Sequence, residues 1–172
     1  GNRFWNATPA CCDFAGTGVD DVAYLTRLLD ALEAAVPVAE IFLFGHSNGG
    51  FMSYRMACER SARIAGIVSL AGADFVGDDA CVPSRPVAVL QIHGTEDATI
   101  RFEGGSLERP YPGAAEVVAR WAARAGCTGE PVAGEPLDLD RSLPGAETVV
   151  SRYEAGCAAT AALWRIEGGG HL

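Results

Sequence analysis

The sequence predicts an α/β fold in which a mainly parallel sheet is covered by helices on both faces. Short apolar runs alternate along the chain with segments whose apolar residues recur at helical spacing. Short apolar strands connected by helices are typical of parallel sheets that are buried on both sides. The chain has 172 residues, of which 49% are hydrophobic, which is enough for the core of one domain. We therefore interpret residues 1–172 as a single domain.

The first half of the chain contains two predicted helices and two predicted strands. A helix over residues 20–35 is indicated by apolar residues along one face, and Asp20 can cap its first turn. The apolar residues of that face are Val22, Leu25, Leu28, Leu29 and Leu32. A strand at Ile41–Phe44, a helix over residues 48–60 and a strand over residues 64–70 follow.

The second half continues the alternation after a loop rich in glycine, aspartate and proline. We predict a strand over residues 87–92 and a helix over residues 114–125, with Val117, Val118 and Trp121 pointing inward. Residues 130–145 are predicted to form a loop because prolines and glycines interrupt any periodicity. The last predicted strands cover residues 147–153 and 161–166.

The clearest functional signal is Gly-x-Ser-x-Gly at residues 45–49, between a predicted strand and a predicted helix. In that context the motif is typical of a nucleophile elbow, which lifts the serine hydroxyl clear of the sheet. Gly45 and Gly49 lack side chains, so the strand and the helix can cross closely beside Ser47. We expect the unpaired N–H of Asn48 to donate a hydrogen bond to an oxyanion. The alternative interpretation is a glycine-rich structural turn.

A serine nucleophile needs a base, and the chain has three histidines, at positions 46, 93 and 171. The side chain of His46, next to the serine, is expected to point away from the Ser47 hydroxyl. His93 ends a predicted strand, where a packed or hydrogen-bonded role is expected. His171 follows a strand and three glycines, a flexible loop that can carry an imidazole over the sheet edge. We therefore predict that His171 is the base.

The base needs an acid to orient it, and in this type of fold the acid lies between the serine and the histidine in the chain. Asp97 is favoured because it follows the carboxyl end of a predicted buried strand, where catalytic groups of open α/β sheets collect. Its neighbour Glu96 and Asp74, which follows the preceding strand, are the competing candidates.

These residues also carry a family resemblance. Segments 45–50, 93–97 and 168–171 resemble the triad motifs of secreted polyhydroxybutyrate-depolymerase-like esterases, a broad group that includes feruloyl and acetylxylan esterases. Residues around Trp5 resemble that group as well, in a loop that borders its active cleft. The resemblance implies an α/β-hydrolase that hydrolyses polyhydroxyalkanoate-type or feruloyl and acetyl polysaccharide esters, through an acyl-enzyme and without a cofactor. A hydrolase-fold protein that only binds a polymer or glycan is the alternative.

The chain departs from the family pattern at both ends. Members of the group carry strands before the position of Trp5, together with a loop that supplies a second oxyanion N–H. They also continue with a loop and a helix after the position of His171. The resemblance therefore implies that residues 1–172 form an apparently partial hydrolase domain.

The six cysteines fit disulfides better than a zinc site, because their number is even and no paired C-x-x-C spacing occurs. We pair Cys127, which follows the last predicted helix, with Cys157, which lies between the two last strands. The other four are Cys11, Cys12, Cys58 and Cys81, whose pairing stays open, although the neighbours Cys11 and Cys12 are not expected to bond to each other. Six reduced cysteines in a cytosolic enzyme are the alternative.

Charge and hydropathy limit the partners and the location. The formal net charge is −9, which argues against nucleic acid and anionic membranes as partners. No apolar run approaches the length of a membrane span. Disulfides predict a secreted or extracellular protein, with the periplasm as the alternative. The expected partner is an ester or polyester substrate, and no metal site is predicted.

Overall fold

The computed structural model describes residues 3–171 of the chain, in which α-helices and β-strands alternate along most of the sequence. The helices are α1 (Asp21–Ala35), α2 (Asn48–Glu59) and α3 (Ala114–Arg124), with a short 3₁₀ helix at Asp78–Ala80. The strands are β1 (Ile41–His46), β2 (Ile64–Leu70), β3 (Ala88–Gly94), β4 (Gly105–Ser106), β5 (Pro110–Tyr111), β6 (Val132–Ala133), β7 (Thr148–Tyr153) and β8 (Ala161–Ile166). The three α-helices and the five longest strands lie within two residues of their predicted positions.

The main sheet has six strands in the order β1-β2-β3-β8-β7-β6. Strands β1, β2, β3 and β8 are parallel neighbours, whereas β7 and β6 extend one side of the sheet in antiparallel fashion. The prediction of a mainly parallel sheet is therefore confirmed. The antiparallel pair β7–β8 arises because a short connection joins these strands, and parallel neighbours would need a longer crossover. None of the helices in the described range is long and apolar enough to cross a membrane.

The described helices share one face of the sheet. Helix α1 contacts α2, which packs on β1 and β2, and α3 packs on β3 and β8. Tyr54 of α2 lies against Trp121 of α3, with ring centroids 5.9 Å apart. On the opposite face of β1, Phe42 and Phe44 are 62% and 69% exposed. Within residues 3–171 the arrangement thus differs from the prediction of helices on both faces, because all three amphipathic helices pack on the same side.

The sheet gathers the candidate functional residues at one edge. Ser47 follows the carboxyl end of β1, Asp97 follows that of β3, and His171 follows that of β8. The register places the ends of these strands level, since His46 pairs with Leu70, and Gly94 pairs with Ile166. Carboxyl ends of parallel strands meet at the same edge of a sheet, so three segments far apart in sequence converge there.

All six cysteines are paired in the structure. Cys127 is bonded to Cys157, with Cα atoms 4.1 Å apart, and Cys58 is bonded to Cys81. Cys11 and Cys12 are bonded to each other, so the expectation that these neighbours do not pair is wrong here. The peptide bond between them is cis, and their Cα atoms lie 3.0 Å apart.

Mass spectrometry of the unreduced protein should find Cys127 joined to Cys157 and few alkylatable thiols. The double substitution Cys127→Ser with Cys157→Ser should lower the free energy of unfolding by about 3 to 4 kcal/mol, because the bridge restricts the unfolded chain. The two cysteines are 30 residues apart in the sequence. Six alkylatable thiols in the native, unreduced protein would contradict the bridge.

A buried carboxylate organises the loop before β7. Glu147 is 6% exposed, and its Oε1 atom accepts hydrogen bonds from the Thr148 hydroxyl and the N–H groups of Leu139 and Asp140. The hydrogen bond from Thr148, helped by the backbone donors, lowers the pKa of Glu147 to about 2 against the opposing effect of burial. The loop is therefore held by a carboxylate that must stay ionised.

Glu147 should make the stability of the protein sensitive to acid. A carboxyl group whose pKa is lowered on folding contributes stability above its unfolded pKa of 4.5, and this contribution is lost as the pH falls towards about 2. Urea unfolding should show a smaller loss of stability in this pH window for Glu147→Gln than for the unsubstituted protein. The control is Glu135→Gln, at an exposed position. An unchanged pH dependence in Glu147→Gln would refute this role of Glu147.

Candidate active site

Ser47 occupies a sharp turn between β1 and α2. Its φ of 54° and ψ of −120° lie outside the regions that non-glycine residues prefer. The Ser47 N–H donates to the carbonyl of Leu70 over 2.8 Å, and the Ser47 carbonyl accepts from the N–H groups of Gly50 and Phe51. These three hydrogen bonds hold the unfavourable backbone, and the geometry is that of a nucleophile elbow.

Two glycines allow the strand and the helix to approach at the elbow. A Cβ atom on Gly45 would overlap the backbone carbonyl of Gly49, and one on Gly50 would lie 2.6 Å from Ser69 Oγ and 3.0 Å from Gly72 Cα. A Cβ atom on Gly49 would meet nothing within 4 Å. The sequence predicts that Gly45 and Gly49 allow the strand and the helix to cross closely. This prediction is correct for Gly45 and wrong for Gly49, because residue 49 faces open space.

Asn48 follows Ser47 at the first position of α2. Its backbone N–H lies in the first turn, where a helix supplies no internal acceptor. Its side chain is held on both sides by the backbone of Trp5, because Oδ1 accepts from the Trp5 N–H over 2.6 Å and Nδ2 donates to the Trp5 carbonyl over 2.9 Å. The Asn48 side chain therefore ties the segment before α1 to the elbow.

Asp97 lies in the loop after β3 and is 4% exposed. Its Oδ1 atom accepts hydrogen bonds from the N–H groups of Thr99 and Ile100, each over 2.8 Å. Burial acts to raise the pKa of Asp97, but hydrogen bonds from His171 and from these two backbone groups outweigh it and lower the pKa below its usual value. The carboxyl group is consequently ionised at neutral pH.

The loop that carries His171 is attached to the Asp97 loop. The Glu96 N–H donates to the carbonyl of Gly169, and the Gly168 N–H donates to the hydroxyl of Thr95, each over 2.9 Å. A Cβ atom on Gly94 would overlap the backbone of Gly169, so only glycine at position 94 permits this approach. Thr95 was not identified from the sequence, since nothing in a lone threonine before two acidic residues indicates a loop contact.

Ser47, His171 and Asp97 form one hydrogen-bonded line. His171 Nδ1 lies 2.8 Å from Asp97 Oδ2, and His171 Nε2 lies 3.0 Å from Ser47 Oγ. A carboxylate can only accept, so the ring proton belongs on Nδ1 and the lone pair of Nε2 faces the serine hydroxyl. This arrangement can remove a proton from Ser47 and hold the positive charge that results.

The other candidates occupy different environments. His46 makes no hydrogen bond to Ser47 and lies beside the ring of His171, with centroids 5.0 Å apart. Asp74 is buried and accepts hydrogen bonds from the Trp121 indole and the Arg124 guanidinium, both on α3. Glu96 is exposed, and His93 is buried and hydrogen-bonded, as the sequence predicted for it.

Among residues 3–171, no cluster of acidic, histidine and cysteine side chains could hold a metal ion.

A surface cavity of about 930 Å³ reaches Asn48 from the side of α1. Its walls include the rings of Trp5 and Tyr24, which are stacked with centroids 6.3 Å apart and an angle of 27° between their planes. The guanidinium-bearing residues Arg3 and Arg27 also line it. Sequence reasoning did not find Tyr24 or Arg27, because they lie on the exposed face of a helix whose pattern indicates only packing.

Comparisons with known proteins identify a family and several relatives of this chain. A family model described as phospholipase/carboxylesterase matches residues 20–114, more than half of the chain, and the match includes Ser47 and Asp97. Feruloyl esterase B of Piromyces equi is 31% identical over 143 residues, which cover 77% of this chain and 26% of that protein. A probable feruloyl esterase C of Aspergillus niger is 31% identical over 116 residues, which cover 66% of this chain and 39% of that protein.

A further relative is the putative esterase NocK of Nocardia uniformis, 31% identical over 102 residues, or 58% of this chain and 30% of that protein. The chain thus spans between about a quarter and two fifths of the length of these relatives. The family match and these relatives confirm the resemblance to feruloyl esterases noted in the sequence. The chain belongs to the phospholipase/carboxylesterase family of α/β-hydrolases.

Proposed function

We propose that this protein is a serine esterase that hydrolyses carboxylic esters through Ser47, His171 and Asp97. The observation that carries the proposal is the unbroken hydrogen-bonded line from Ser47 Oγ through the His171 ring to Asp97 Oδ2. Nucleophile, base and acid are each within hydrogen-bonding distance of the next, which is the geometry that this chemistry requires. The family and the names of its esterase relatives support the same reaction class.

The reaction begins when His171 Nε2 takes the proton of Ser47 Oγ as that oxygen attacks the ester carbonyl carbon. The carbonyl oxygen becomes an oxyanion, and the N–H of Asn48 donates a hydrogen bond to it. His171 then gives its proton to the departing alcohol, and Ser47 keeps the acyl group as an ester. Water attacks this acyl-enzyme with His171 again as the base, which releases the acid and restores the serine hydroxyl.

Asp97 contributes in two ways. Its Oδ2 atom keeps the proton of His171 on Nδ1, so the lone pair of Nε2 stays directed at Ser47. Its negative charge also stabilises the imidazolium that forms while Ser47 attacks. The lowered pKa of Asp97 supports this role, since the carboxyl group must be ionised when the imidazolium forms.

The substrate class follows from the relatives and the cavity together. Relatives named feruloyl esterases favour an ester of an aromatic acid on a polysaccharide, with acetylated polysaccharides and polyhydroxyalkanoates as further candidates. The stacked pair of Trp5 and Tyr24 offers aromatic surface close to Asn48, which an aromatic acid or a sugar ring can stack on. We place the protein outside the cytosol, because paired cysteines are typical of oxidising compartments.

Ser47 should be the residue that a fluorophosphonate or phenylmethylsulfonyl fluoride labels. Ser47→Ala should abolish labelling and lower ester turnover on the order of 10⁴-fold or more, because no other group replaces the nucleophile. The matched control is Ser106→Ala, at an exposed serine in β4, which should keep both labelling and turnover. Labelling of another serine, or full turnover in Ser47→Ala, would disprove the assignment.

A panel of esters should separate the substrate classes. We expect turnover of a short-chain chromogenic ester and of methyl ferulate, with Trp5→Ala raising KM for the ferulate more than for the short-chain ester. Loss of a stacking contact is worth about 0.5 to 1.5 kcal/mol, which corresponds to roughly a twofold to tenfold change in KM. Turnover of polyhydroxybutyrate or acetylated xylan without turnover of methyl ferulate would reassign the substrate. Binding of these polymers without any turnover would instead support the non-catalytic alternative.

A further inference from the structure

A buried chain of polar side chains lies behind Asp97, and the proposed reaction does not use it. The Tyr54 hydroxyl donates to Gln91 Oε1 over 2.8 Å, Gln91 Nε2 lies 3.0 Å from His93 Nδ1, and His93 Nε2 lies 3.3 Å from Asp97 Oδ2. Tyr54, Gln91 and His93 are at most 1% exposed. Burying a polar group costs free energy unless the group is hydrogen-bonded, so each of these side chains needs a partner. Whether each partner donates or accepts then shows where the protons lie.

The hydrogen-bond partners on the two sides of the His93 ring fix the position of its proton. Gln91 Nε2 lies 2.9 Å from the Gly72 carbonyl, which only accepts, so this atom is the amide nitrogen and its second hydrogen points at His93 Nδ1. Nδ1 is therefore an acceptor. On the other side of the ring, His93 Nε2 lies 2.7 Å from the Ile100 carbonyl, which needs a donor. Both contacts require the neutral ring with its hydrogen on Nε2.

That Nε2–H reaches two parts of the acid loop. It donates to the Ile100 carbonyl over 2.7 Å, and His93 Nε2 also lies 3.3 Å from Asp97 Oδ2, the oxygen that accepts from His171. The Asp97 carboxylate thus accepts two hydrogen bonds from backbone N–H groups on Oδ1 and one from His171 on Oδ2, and His93 Nε2 lies beside that second oxygen. With His93 on one side and His171 on the other, rotation of the carboxylate would break the hydrogen bonds on Oδ1 or carry Oδ2 away from the two rings.

We propose that His93 is a positioning residue that holds the carboxylate of Asp97 and its loop in place for His171, through its neutral Nε2–H form. This inference rests on the proposed role of Asp97. His93 touches no substrate and takes no proton in the reaction. Its ring is packed edge-on against Phe102, with centroids 5.8 Å apart, so it cannot turn to exchange its two nitrogens without disturbing the core.

The charges around His93 agree with a neutral ring. Burial lowers the pKa of His93, and a protonated His171 would lower it further, while the Ile100 carbonyl and Asp97 act in the opposite direction with a smaller effect. The titratable groups that face the ring are Asp97 and His171, and Tyr54 reaches it only through Gln91. A protonated His93 would be a second cation beside Asp97 and would compete with His171 for the negative charge of that carboxylate. Because His93 is neutral, this charge stabilises the His171 imidazolium alone.

The test compares two substitutions of His93. His93→Leu should lower kcat for a short-chain ester on the order of 10- to 100-fold with little change in KM, because a small displacement of a catalytic group has effects of this size. His93→Gln should recover most of kcat, since the glutamine amide nitrogen can reach the place of Nε2 and donate there. Equal kcat in His93→Leu and the unsubstituted protein would overturn the proposal, as would equal losses in both variants.

A control and a double substitution separate positioning from general loss of stability. Ser61→Ala removes a buried hydrogen bond to Ser84 far from the acid loop and should leave kcat unchanged. With Asp97→Asn present, His93→Leu should lower kcat no further, because both changes act through one carboxylate. A further loss of similar size would overturn the proposal. If Asp97→Asn alone keeps full activity, the proposed function of Asp97 fails instead.

Nitrogen NMR of the histidine rings gives a readout independent of activity and of any variant's folding. In the unsubstituted protein His93 should show a neutral ring with the proton on Nε2 between about pH 5 and 8, the interval in which an ordinary histidine titrates. A proton on Nδ1, or a ring that becomes charged within this interval, would overturn the proposal.

Discussion

The hydrogen bond between Asp97 Oδ2 and His171 Nδ1 is the interaction on which the rest of the site depends. It joins two loops that are 74 residues apart in the sequence, and it sets both the orientation of the imidazole and the nitrogen that faces Ser47. The loops can approach because Gly94 has no side chain to meet the backbone of Gly169. The hydrogen bonds from Glu96 and Gly168 then hold the two loops together.

The elbow illustrates how the fold supports an unfavourable backbone at the site. A non-glycine residue at positive φ costs on the order of 1 to 3 kcal/mol, which persists only where surrounding structure compensates for it. At Ser47 the compensation comes from hydrogen bonds with β2 and the first turn of α2, and from Phe51 and Met52, which are almost fully buried in the core. The serine hydroxyl is thereby fixed relative to a rigid sheet and does not depend on a flexible loop.

Polar groups inside the core extend this rigidity to the neighbourhood of Asp97. Tyr54, Gln91 and His93 lie where apolar side chains would be expected, between α2 and the sheet. Their hydrogen bonds are satisfied by one another and by the carbonyls of Gly72 and Ile100, so the cost of burial is offset and a single arrangement is favoured. The result is a direct structural connection between the packing of the core and the orientation of Asp97.

Local signals in the sequence located the longer elements to within two residues and indicated the parallel sheet and the candidate residues. Apolar periodicity located each major helix and strand, and the setting of Ser47, Asp97 and His171 after predicted strands identified the three residues that the sheet brings together. The pairing of Cys127 with Cys157 was also suggested by position alone, and the structure contains that bond. These features follow from near neighbours in the chain, which a pattern of residues can report.

The tertiary structure alone decided the features that depend on distant segments. No local signal in the sequence indicated the face on which α1, α2 and α3 pack. Nor did one indicate the need for glycine at position 50 in place of 49, or the bond between Cys11 and Cys12. The same holds for the donors around Asp97, because no pattern along the chain states that the His171 ring and the N–H groups of Thr99 and Ile100 meet at one carboxylate. Such contacts are fixed by how strands and helices pack, and their geometry exists only once the sheet has formed.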